Sequence, residues 1–455
     1  MKTFPIAVIG AGPIGLAAAA HLLERGLEPV IFEAGRTAGA AIEQWRHIRL
    51  FSPWRFNLDD AAVRVLKATG WESPRLTALP NGGELIDNYL IPFAATPQIA
   101  SRLQTGARVI AVTRQGMAKT HVRDRDTTAF VVRVEHHGGE TRDHTVAAVI
   151  DASGTWSTRN PVGTSGLPAI GETTAGNRIS SPLPDVVDRD RSAFAGRRVV
   201  VVGSGHSAAN TLINLTALAK DEAGTRILWA VRGASAEKVY GGGEADGLPA
   251  RGQLGSRLRR LVEAGIIELH TGFGIAALKN LDSHVEVEAV DGRTIEADVI
   301  VPCTGFRPDL EILRELRLDL DPAVEAPTEL GPLIDPELHS CGTVPAHGAK
   351  VLAHPEKDFY IVGMKSYGRA PTFLLATGYE QVRSVAAALA GDQESADTVH
   401  LELPETGVCS ADAGTSCDVP PAVATGSQEP EPGCCAAPEP ARPSFRQVRK
   451  PSISA

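Results

Sequence analysis

A glycine-rich turn near the amino terminus has the spacing of a phosphate-binding site. Gly10, Gly12 and Gly15 lie between an apolar run and an alanine- and leucine-rich run. The first glycine permits a tight turn, the second lets the backbone approach a pyrophosphate, and the third lets a helix pack closely on a strand. Glu33 follows about 20 residues later, where an acid accepts hydrogen bonds from a ribose. The pattern predicts a dinucleotide site.

A second turn of the same kind follows a valine-rich run in the middle of the chain. Its residues are Gly203, Ser204, Gly205, His206, Ser207 and Ala208. Alanine in the third glycine position is a variant that the pattern permits. The next predicted strand leads into Arg232 rather than an acid, and a guanidinium there can pair with a 2′-phosphate, so NADPH is favoured over NADH. The alternative is an ordinary exposed arginine.

Each turn needs a strand before it and a helix after it. The predicted elements are strand 4–10, helix 13–25 and strand 29–33 at the first turn, and strand 199–202, helix 207–219 and strand 226–231 at the second. Such alternation of strands and helices implies parallel sheets covered by helices. The sequence therefore predicts two nucleotide-binding modules.

Further apolar runs predict the rest of the fold. Runs 108–112, 129–134 and 145–151 predict an antiparallel meander, runs 297–302 and 359–363 predict strands, and run 377–390 predicts a helix. Because a strand and a helix of the first module follow the second, we expect the second module to be inserted in the first. The predicted fold class is α/β, with two Rossmann-like dinucleotide-binding domains, an antiparallel β-meander and a disordered C-terminal tail.

The predicted domain limits follow from this order. They are 1–180 and 303–391 for the discontinuous first domain, 181–302 for the second domain, and 392–455 for a flexible tail. The tail is rich in proline, alanine, serine, threonine and glutamate, and such a composition buries too little apolar surface to offset the entropy of ordering.

Composition excludes several classes of partner. The formal net charge is -9, which argues against a nucleic-acid partner. No apolar run approaches the ~20 residues of a membrane span. The first predicted strand begins almost at Met1 and leaves no room for a secretory or transit peptide, so we expect a cytoplasmic protein that acts on a small molecule.

Two dinucleotide sites in one chain, one nested in the other, resemble the two-dinucleotide-binding-domain flavoproteins. That group includes flavin-containing monooxygenases, N-hydroxylases and thioredoxin-reductase-like enzymes, and the resemblance covers about residues 1–390. Segments 153–156 and 303–309 are similar to the family's two connections between the domains. The resemblance implies FAD at the first turn and NADPH at the second.

The resemblance also implies which residues bind each cofactor. For FAD they are Gly10, Gly12, Pro13, Gly15, Glu33, Trp45, Arg49, Ser153, Gly154, Thr304, Gly305, Gly363, Thr377 and Gln381. For NADPH they are Gly203, Ser204, Gly205, His206, Ser207 and Arg232. Thr377 and Gln381 are included because, in such folds, the helix after Gly363 points its amino terminus at the flavin.

Cysteine positions separate the branches of this group. Disulfide reductases need two cysteines beside the flavin, and no cysteine precedes Cys303, which argues against that branch. Monooxygenases of the group commonly carry a Phe-x-Gly-x-x-x-His pattern before the second turn, and segment 178–184 lacks its histidine and aromatic residue. We therefore expect an atypical member.

Segments 45–54 and 364–373 are similar to the flavin monooxygenases of bacterial arsenic-resistance operons, as is the tail around Cys409. By fold order both segments flank the flavin. The resemblance thus makes Lys365 and Tyr367 candidate catalytic residues that orient a substrate or stabilise a reduced flavin. The alternative for the aromatic residues of segment 45–54 is a role in the core.

Thiols are the remaining candidates. Cys341, near His339 and His347, is a candidate redox-active thiol, and the alternative is that all three are ordinary loop residues. The tail contains Cys409, Cys417, Cys434 and Cys435. Thiolates bind soft ions, so these four are candidate metalloid ligands. The alternative is a disordered tail with incidental cysteines.

Three functional hypotheses follow. The first is an FAD-dependent, NADPH-consuming monooxygenase that uses molecular oxygen on a soft nucleophile such as a sulfur or arsenic compound. The second is a flavin-dependent thiol, disulfide or metalloid reductase that uses the C-terminal cysteines. The third is a metalloid-binding or redox-sensing flavoprotein with little turnover.

Overall fold

A computed structural model of the chain describes residues 4–241, 249–335, 344–371 and 373–401. The strands are Ile6–Ile9 (β1), Pro29–Glu33 (β2), Leu103–Thr105 (β3), Ala107–Arg114 (β4), Phe130–His136 (β5), Thr141–Val146 (β6), Ala148–Asp151 (β7), Arg198–Val202 (β8), Arg226–Ala230 (β9), Glu268–His270 (β10), Ile275–Asn280 (β11), Val285–Ala289 (β12), Thr294–Ala297 (β13), Val299–Pro302 (β14) and Phe359–Ile361 (β15).

The α-helices are Pro13–Glu24 (α1), Ala40–Glu43 (α2), Asp60–Lys67 (α3), Gly82–Leu85 (α4), Ile91–Ala94 (α5), Pro97–Ala100 (α6), Arg191–Phe194 (α7), His206–Asp221 (α8), Glu237–Tyr240 (α9), Pro249–Glu263 (α10), Gly331–Ile334 (α11), Leu375–Leu389 (α12) and Gln393–Asp397 (α13). Single 3-10 or π turns lie at Trp54–Phe56, Ile86–Leu90, Arg125–Thr127, Gly176–Arg178, Glu311–Leu313 and Gly363–Tyr367.

The first parallel sheet has the strand order β15-β7-β1-β2-β3. Ile9 at the end of β1 is level with Asp151 at the end of β7, and Ile361 of β15 is level with Asp151 on its other side. The carboxyl ends of these three strands therefore meet at one edge of the sheet. That edge is where ligands bind in open α/β folds.

The second parallel sheet has the order β10-β9-β8-β14. All its strands lie between β7 and β15 in the sequence, although β7 and β15 pair with each other in the first sheet. The second module is therefore inserted in the first, as the sequence predicted. The predicted fold class, with two Rossmann-like modules and an antiparallel meander, is confirmed.

Strands β4-β5-β6 form the predicted meander, but the single predicted strand 145–151 is wrong. The chain leaves the meander at Val146, which pairs with Phe130, and enters the parallel sheet at Ala148, which pairs with Ile6. Between them Ala147 donates its N–H to the Pro5 carbonyl. One apolar run thus serves two sheets, because Val146 and Ala148, on either side of the exposed Ala147, are both buried. A second meander, β11-β12-β13, was not predicted.

Helix α1 packs in one hydrophobic cluster with α12. Ala17 to Ala20 of α1 have no exposed surface, nor have Val382, Val385 and Ala386 of α12. The small alanine side chains let the two helices approach closely. Leu16 and Leu22 are also fully buried, and each such burial contributes about 1.5–3 kcal/mol. This packing fixes the amino-terminal ends of both helices at the sheet edge described above.

Two observations bear on the predicted domain limits. Val162, Ala169 and Ala175 pack in a cluster with residues of the second sheet, ahead of the predicted boundary at 180. Helix α13 falls within the predicted tail, and Ser384 of α12 donates a hydrogen bond of 2.6 Å to Ala396. The limits themselves stay a prediction, and the tail from residue 402 lies outside the described residues.

Within the described ranges, no helix is both long and apolar enough to cross a bilayer.

Candidate functional site

The first glycine turn is held by contacts that no side chain would permit. Gly10 has a φ of 96°, and a Cβ there would lie 2.9 Å from the Ala152 carbonyl oxygen. A Cβ on Gly15 would lie 1.9 Å from the carbonyl oxygen of Gly10. Gly12, the N-cap of α1, has open space where its Cβ would be. The turn therefore needs Gly10 and Gly15 for its own packing and leaves Gly12 open towards a ligand.

Glu33 closes the opposite side of this turn. Its Oε2 accepts from the Ala11 N–H at 2.7 Å and its Oε1 accepts from the Gly35 N–H at 2.7 Å. A carboxylate accepts about four hydrogen bonds, so capacity remains for the ribose hydroxyls that the sequence pattern assigns to Glu33. The same carboxylate thus orders the turn and lines the adjacent cavity.

The second glycine turn repeats this geometry. Gly203 has a φ of 124°, and a Cβ there would lie 2.1 Å from the Cys303 carbonyl oxygen. Gly205 is the N-cap of α8 and has open space where its Cβ would be. The Trp229 indole N–H donates to the Gly203 carbonyl at 2.7 Å. A buried tryptophan of β9 therefore stabilises the turn through this hydrogen bond.

A cavity of about 910 Å³ extends from the first glycine turn to the start of α8. The predicted residues that line it are Gly10, Gly12, Pro13, Glu33, Trp45, Arg49, Ser153, Gly154, His206, Ser207, Gly363 and Lys365. These residues lie far apart in the sequence, yet they share one space. Its volume suits a large cofactor, and its walls contain the open face of Gly12 and the Glu33 carboxylate. The residues present therefore fit a dinucleotide such as FAD.

Aromatic side chains form part of the wall. The Trp156 ring lies 4.9 Å from that of Phe306 and 6.4 Å from that of Trp45. Phe51 lies 5.1 Å from His206, so the two modules contact each other across the cavity. Such rings exclude water and offer flat surfaces to a planar ligand. Trp45 is thus at the site and only partly buried, which argues against a purely core role.

Lys365 is one of the cavity-lining residues, but its ammonium group is buried. Its Nζ donates to Asp151 Oδ2 at 2.7 Å, and both side chains are fully buried. It also donates to Ser153 Oγ at 3.1 Å. The ammonium group has no exposed surface, and the catalytic role of Lys365 stays a prediction. Lys365 thus contacts both the buried Asp151 and the cavity-lining Ser153.

Tyr367, the second predicted catalytic residue, is buried and, unlike Lys365, does not line the cavity. It is 2% exposed, and its ring packs 5.1 Å from Phe373 and 5.9 Å from His347. Burial raises the pKa of its hydroxyl above the ordinary value. Its distance from the cavity wall follows from the turn Gly363–Tyr367, which directs the ring into the core.

Gln381, predicted to adjoin the flavin, is fully buried and makes hydrogen bonds within the protein. Its Oε1 accepts from the Gly363 N–H at 2.7 Å, and its Nε2 donates to His347 Nε2 at 2.9 Å and to Ser366 Oγ at 3.0 Å. Burial lowers the pKa of His347, which suits this acceptor role. Thr377 is 2% exposed and does not line the cavity either. Helix α12 begins at Leu375, so Leu374 and Leu375 occupy the wall.

Thr304 and Gly305 support the crossing between the modules. Thr304 Oγ1 donates to the Asn160 carbonyl at 2.7 Å, and Asn160 Nδ2 donates to the Thr304 carbonyl at 3.1 Å. The Asn160 N–H donates to Gly305 at 2.9 Å. The two connections therefore bind each other. Neither Thr304 nor Gly305 lines the cavity, and their contact with FAD stays a prediction.

No cysteine lines the cavity in the described part of the chain. Cys303 is buried, and its Sγ lies 3.9 Å from Thr211 Oγ1 and 3.3 Å from the Pro182 carbonyl. Burial raises the pKa of the Cys303 thiol to about 12, so it is not a thiolate. The described ranges also hold no group of three or more metal-ligating side chains. Cys341, Cys409, Cys417, Cys434 and Cys435 lie outside the described residues.

Several wall residues were missed by the sequence reasoning. They are Phe32, Ala107, Arg108, Val109, Leu183, Asn210, Arg251 and Asp309. Phe32 and Asn210 had a local signal, because one precedes Glu33 and the other lies one helical turn after His206. The β4 residues Ala107 to Val109 had none, since only the pairing of strands brings them to the cavity.

Comparison with known proteins agrees with this geometry. The sequence pattern of the pyridine nucleotide-disulphide oxidoreductase family matches residues 4–328. A ferredoxin–NADP reductase of Rickettsia felis is 28% identical over 136 residues, which are 29% of this chain and 36% of that protein. The match thus spans about a third of the length of that curated relative.

Two solved structures share the fold over most of the chain. Bacillithiol disulfide reductase from Bacillus cereus has a TM-score of 0.62 at 18% identity and covers 86% of this chain and 99% of its own. The cadaverine monooxygenase of desferrioxamine biosynthesis from Erwinia amylovora has a TM-score of 0.60 at 13% identity and covers 90% of this chain and 100% of its own. At these identities the similarity shows the fold alone.

Proposed function

Because the chain belongs to the pyridine nucleotide-disulphide oxidoreductase family, whose members are flavin-dependent enzymes that bind FAD and a pyridine nucleotide, we propose that it is an NADPH-consuming monooxygenase. Its substrate is a soft nucleophile, a sulfur or arsenic compound. One observation carries the choice of branch: within the described ranges, no cysteine lines the cavity that joins the two glycine turns. A disulfide reductase needs thiols there.

The chain's own residues divide the work between binding and exclusion of water. Gly12 and Gly205 leave the N-terminal ends of α1 and α8 open, and each end can hold a pyrophosphate on its backbone N–H groups. Glu33 accepts ribose hydroxyls. Trp156 and Phe306 shield the interior of the cavity from solvent. FAD, when bound there, supplies the hydride acceptor and the oxygen chemistry.

The proposal of a soft substrate rests on sequence similarity to the flavin monooxygenases of arsenic-resistance operons in segments 45–54 and 364–373. Trp45, Arg49 and Phe51 of the first segment line the cavity, as do Met364 and Phe373 of the second. These side chains place one cation and several apolar groups at the wall. A polarisable sulfur or arsenic centre can be surrounded by such apolar and aromatic groups.

Product analysis tests the proposed reaction. The balanced step is substrate plus NADPH, a proton and O₂, giving oxygenated substrate, NADP⁺ and water. Methyl p-tolyl sulfide under ¹⁸O₂ should gain one labelled oxygen for each NADPH consumed, and arsenite should yield arsenate. NADPH oxidation without labelled product from either probe would contradict the monooxygenase proposal. An absence of NADPH oxidation would favour a binding or sensing flavoprotein.

The reductase alternative makes a separate prediction for the tail. The double substitution of Cys434→Ser and Cys435→Ser is expected to leave NADPH-dependent oxygenation of the sulfide unchanged, because the proposed reaction uses no thiol. Steady-state kinetics of the full chain, with Cys409→Ser as the matched control, measures this. If the double variant alone loses NADPH oxidation with a disulfide as electron acceptor, electrons leave through that cysteine pair and the reductase alternative is correct.

The proposed preference for NADPH over NADH depends on Arg232. It follows β9 and is exposed, with one hydrogen bond of 3.3 Å from Nη1 to the Thr164 carbonyl. Arg232→Ala should raise the KM for NADPH about 10- to 100-fold, because a charge-assisted pair with the 2′-phosphate is lost. The KM for NADH should not change. Arg226→Ala, at the other end of β9, is the control. Equal effects on both coenzymes would contradict a 2′-phosphate contact.

A further inference from the structure

Ser153 is the exposed end of a hydrogen-bonded group whose other members are buried. Asp151 ends β7, and Lys365 lies in the turn Gly363–Tyr367 that follows β15. Their Oδ2 and Nζ atoms are 2.7 Å apart, and neither side chain has any exposed surface. Ser153 Oγ contacts both partners and lines the cavity. At the cavity wall, the ion pair therefore acts only through the orientation of the Ser153 hydroxyl group.

The donors and acceptors of this group can be counted. A lysine ammonium only donates, so Ser153 Oγ accepts the bond of 3.1 Å from Lys365. A carboxylate only accepts, so the single hydroxyl hydrogen of Ser153 goes to Asp151 Oδ1 at 2.6 Å. The Ser153 backbone N–H also donates to Asp151 Oδ1, at 3.1 Å. Only one acceptor lone pair of the Ser153 side chain is left for a ligand.

An acceptor at this place selects the kind of group it can bind. The phosphate oxygens of a pyrophosphate carry no hydrogen at neutral pH. They therefore cannot donate a hydrogen bond to the free lone pair of Ser153 Oγ. The neighbouring glycine turn is close, because a Cβ on Gly10 would lie 3.1 Å from Ser153 Cα. Ser153 thus adjoins the proposed pyrophosphate position. In FAD the pyrophosphate is flanked by the ribose, for which Glu33 serves, and by the ribityl chain, which also carries hydroxyl groups.

We propose that Ser153 accepts a hydrogen bond from a ribityl hydroxyl of FAD, and that Asp151 and Lys365 are positioning residues that keep its own hydrogen turned away from the cavity. This inference rests on the proposed function in one respect, which is that FAD occupies the cavity. It assigns Lys365 no contact with substrate or flavin. A buried ion pair is weak evidence for stability by itself, and orientation of Ser153 gives the pair a role.

The test compares two ligands of the apoprotein. FAD contains the ribityl chain, whereas ADP contains only the adenosine and pyrophosphate part. Ser153→Ala should weaken FAD binding about 2- to 12-fold, the worth of one hydrogen bond, and leave ADP binding unchanged. Flavin fluorescence measures the first Kd and calorimetry the second. Ser181→Ala, exposed and outside the cavity wall, is the control. Equal weakening of both ligands, or no weakening of FAD, would overturn the assignment.

A second variant tests the positioning pair without leaving a buried charge. Asp151→Leu with Lys365→Met removes both charges and both hydrogen-bonding partners of the Ser153 hydroxyl, so the chain should fold. Its Ser153 hydroxyl is then free to rotate, and FAD binding should weaken as in Ser153→Ala, with no further loss when Ser153→Ala is added. Wild-type affinity in the folded double variant would show a purely structural pair. These Kd values do not depend on NADPH or oxygen, so a failed monooxygenase assay would leave the test standing.

Discussion

Replacement of Gly12 with alanine is expected to leave the fold intact and to weaken FAD binding by about 10- to 100-fold. Gly12 has a φ of -76°, which any residue adopts, and no protein atom within 4 Å of an added Cβ. Its open side faces the cavity. The new methyl group would therefore meet the ligand and not the protein, at the point where the backbone must approach the pyrophosphate.

Two further glycine substitutions give this experiment its contrast. Gly15→Ala places a Cβ 1.9 Å from the Gly10 carbonyl oxygen, so it should lower the melting temperature of the apoprotein as well as FAD affinity. Gly176→Ala has open space and lies outside the cavity wall, so it should change neither. Calorimetry of the apoproteins and fluorescence titration with FAD separate the three. A Gly12→Ala protein with wild-type affinity would place the pyrophosphate elsewhere.

The local sequence pattern was sufficient to predict the strand, turn and helix at each glycine-rich turn. The run before Gly10, the glycine spacing and the Ala/Leu-rich run after it predicted β1, the turn and α1 within two residues. The same holds for β8 and α8 around Gly203. The contact of Gly15 with the Gly10 carbonyl lies inside the first turn, whereas Gly10 and Gly203 approach the carbonyl groups of Ala152 and Cys303, which come later in the chain.

Prediction failed where a long-range contact decides. Segment 145–151 is one apolar run, and only the pairing of Val146 with Phe130 and of Ala148 with Ile6 divides it between two sheets. Long-range contacts were equally hidden at Gln381, which was expected at the flavin because it lies near the start of a helix; that placement stays a prediction. Its actual partners, Gly363, Ser366 and His347, come from elsewhere in the chain, and no periodicity reveals them.

The candidate site shows the same division. The two glycine turns and Glu33 could be placed from spacing alone. The pairing of Lys365 with Asp151 spans 214 residues, and it decides whether the lysine meets a ligand or supports a serine. The position of Lys365 shortly after β15 suggested contact with a ligand. The burial of both charges supports the proposal that the lysine orients Ser153. The role of a charged residue therefore depended on a partner that its own segment does not contain.

A second large effect is expected at Glu356, which joins the meander to the segment that leads into β15. It is fully buried and accepts from Arg114 Nε at 2.7 Å and from Arg125 Nη2 at 2.8 Å. The Arg317 N–H also donates to it, at 3.0 Å. Arg114 also lies 3.7 Å from the centre of the Phe130 ring. Both arginine side chains are almost fully buried, so their charge depends on this one carboxylate.

Glu356→Gln should lower the free energy of unfolding by about 3–5 kcal/mol at neutral pH, because it leaves two buried guanidinium groups without their carboxylate. Urea unfolding measures this loss. Glu140→Gln is the matched control: the Glu140–Arg142 pair is 60% exposed on both sides, and its loss should not be measurable. A loss at Glu356 no greater than at Glu140 would show that the cluster does not stabilise the fold.

The same cluster predicts how the difference in the free energy of unfolding between the wild-type protein and Glu356→Gln depends on pH. Burial alone would raise the pKa of Glu356, but hydrogen bonds from Arg125, Arg114 and the Arg317 N–H hold it below the ordinary value. A carboxyl group with a lowered pKa stabilises the fold above its unfolded pKa of about 4.3, and that stability is lost as the pH falls through the folded value. The wild-type protein should therefore lose its advantage over Glu356→Gln below about pH 4. Since Glu356 fixes the approach to β15 and hence Gly363, FAD should be released over the same pH range in which the two unfolding curves converge.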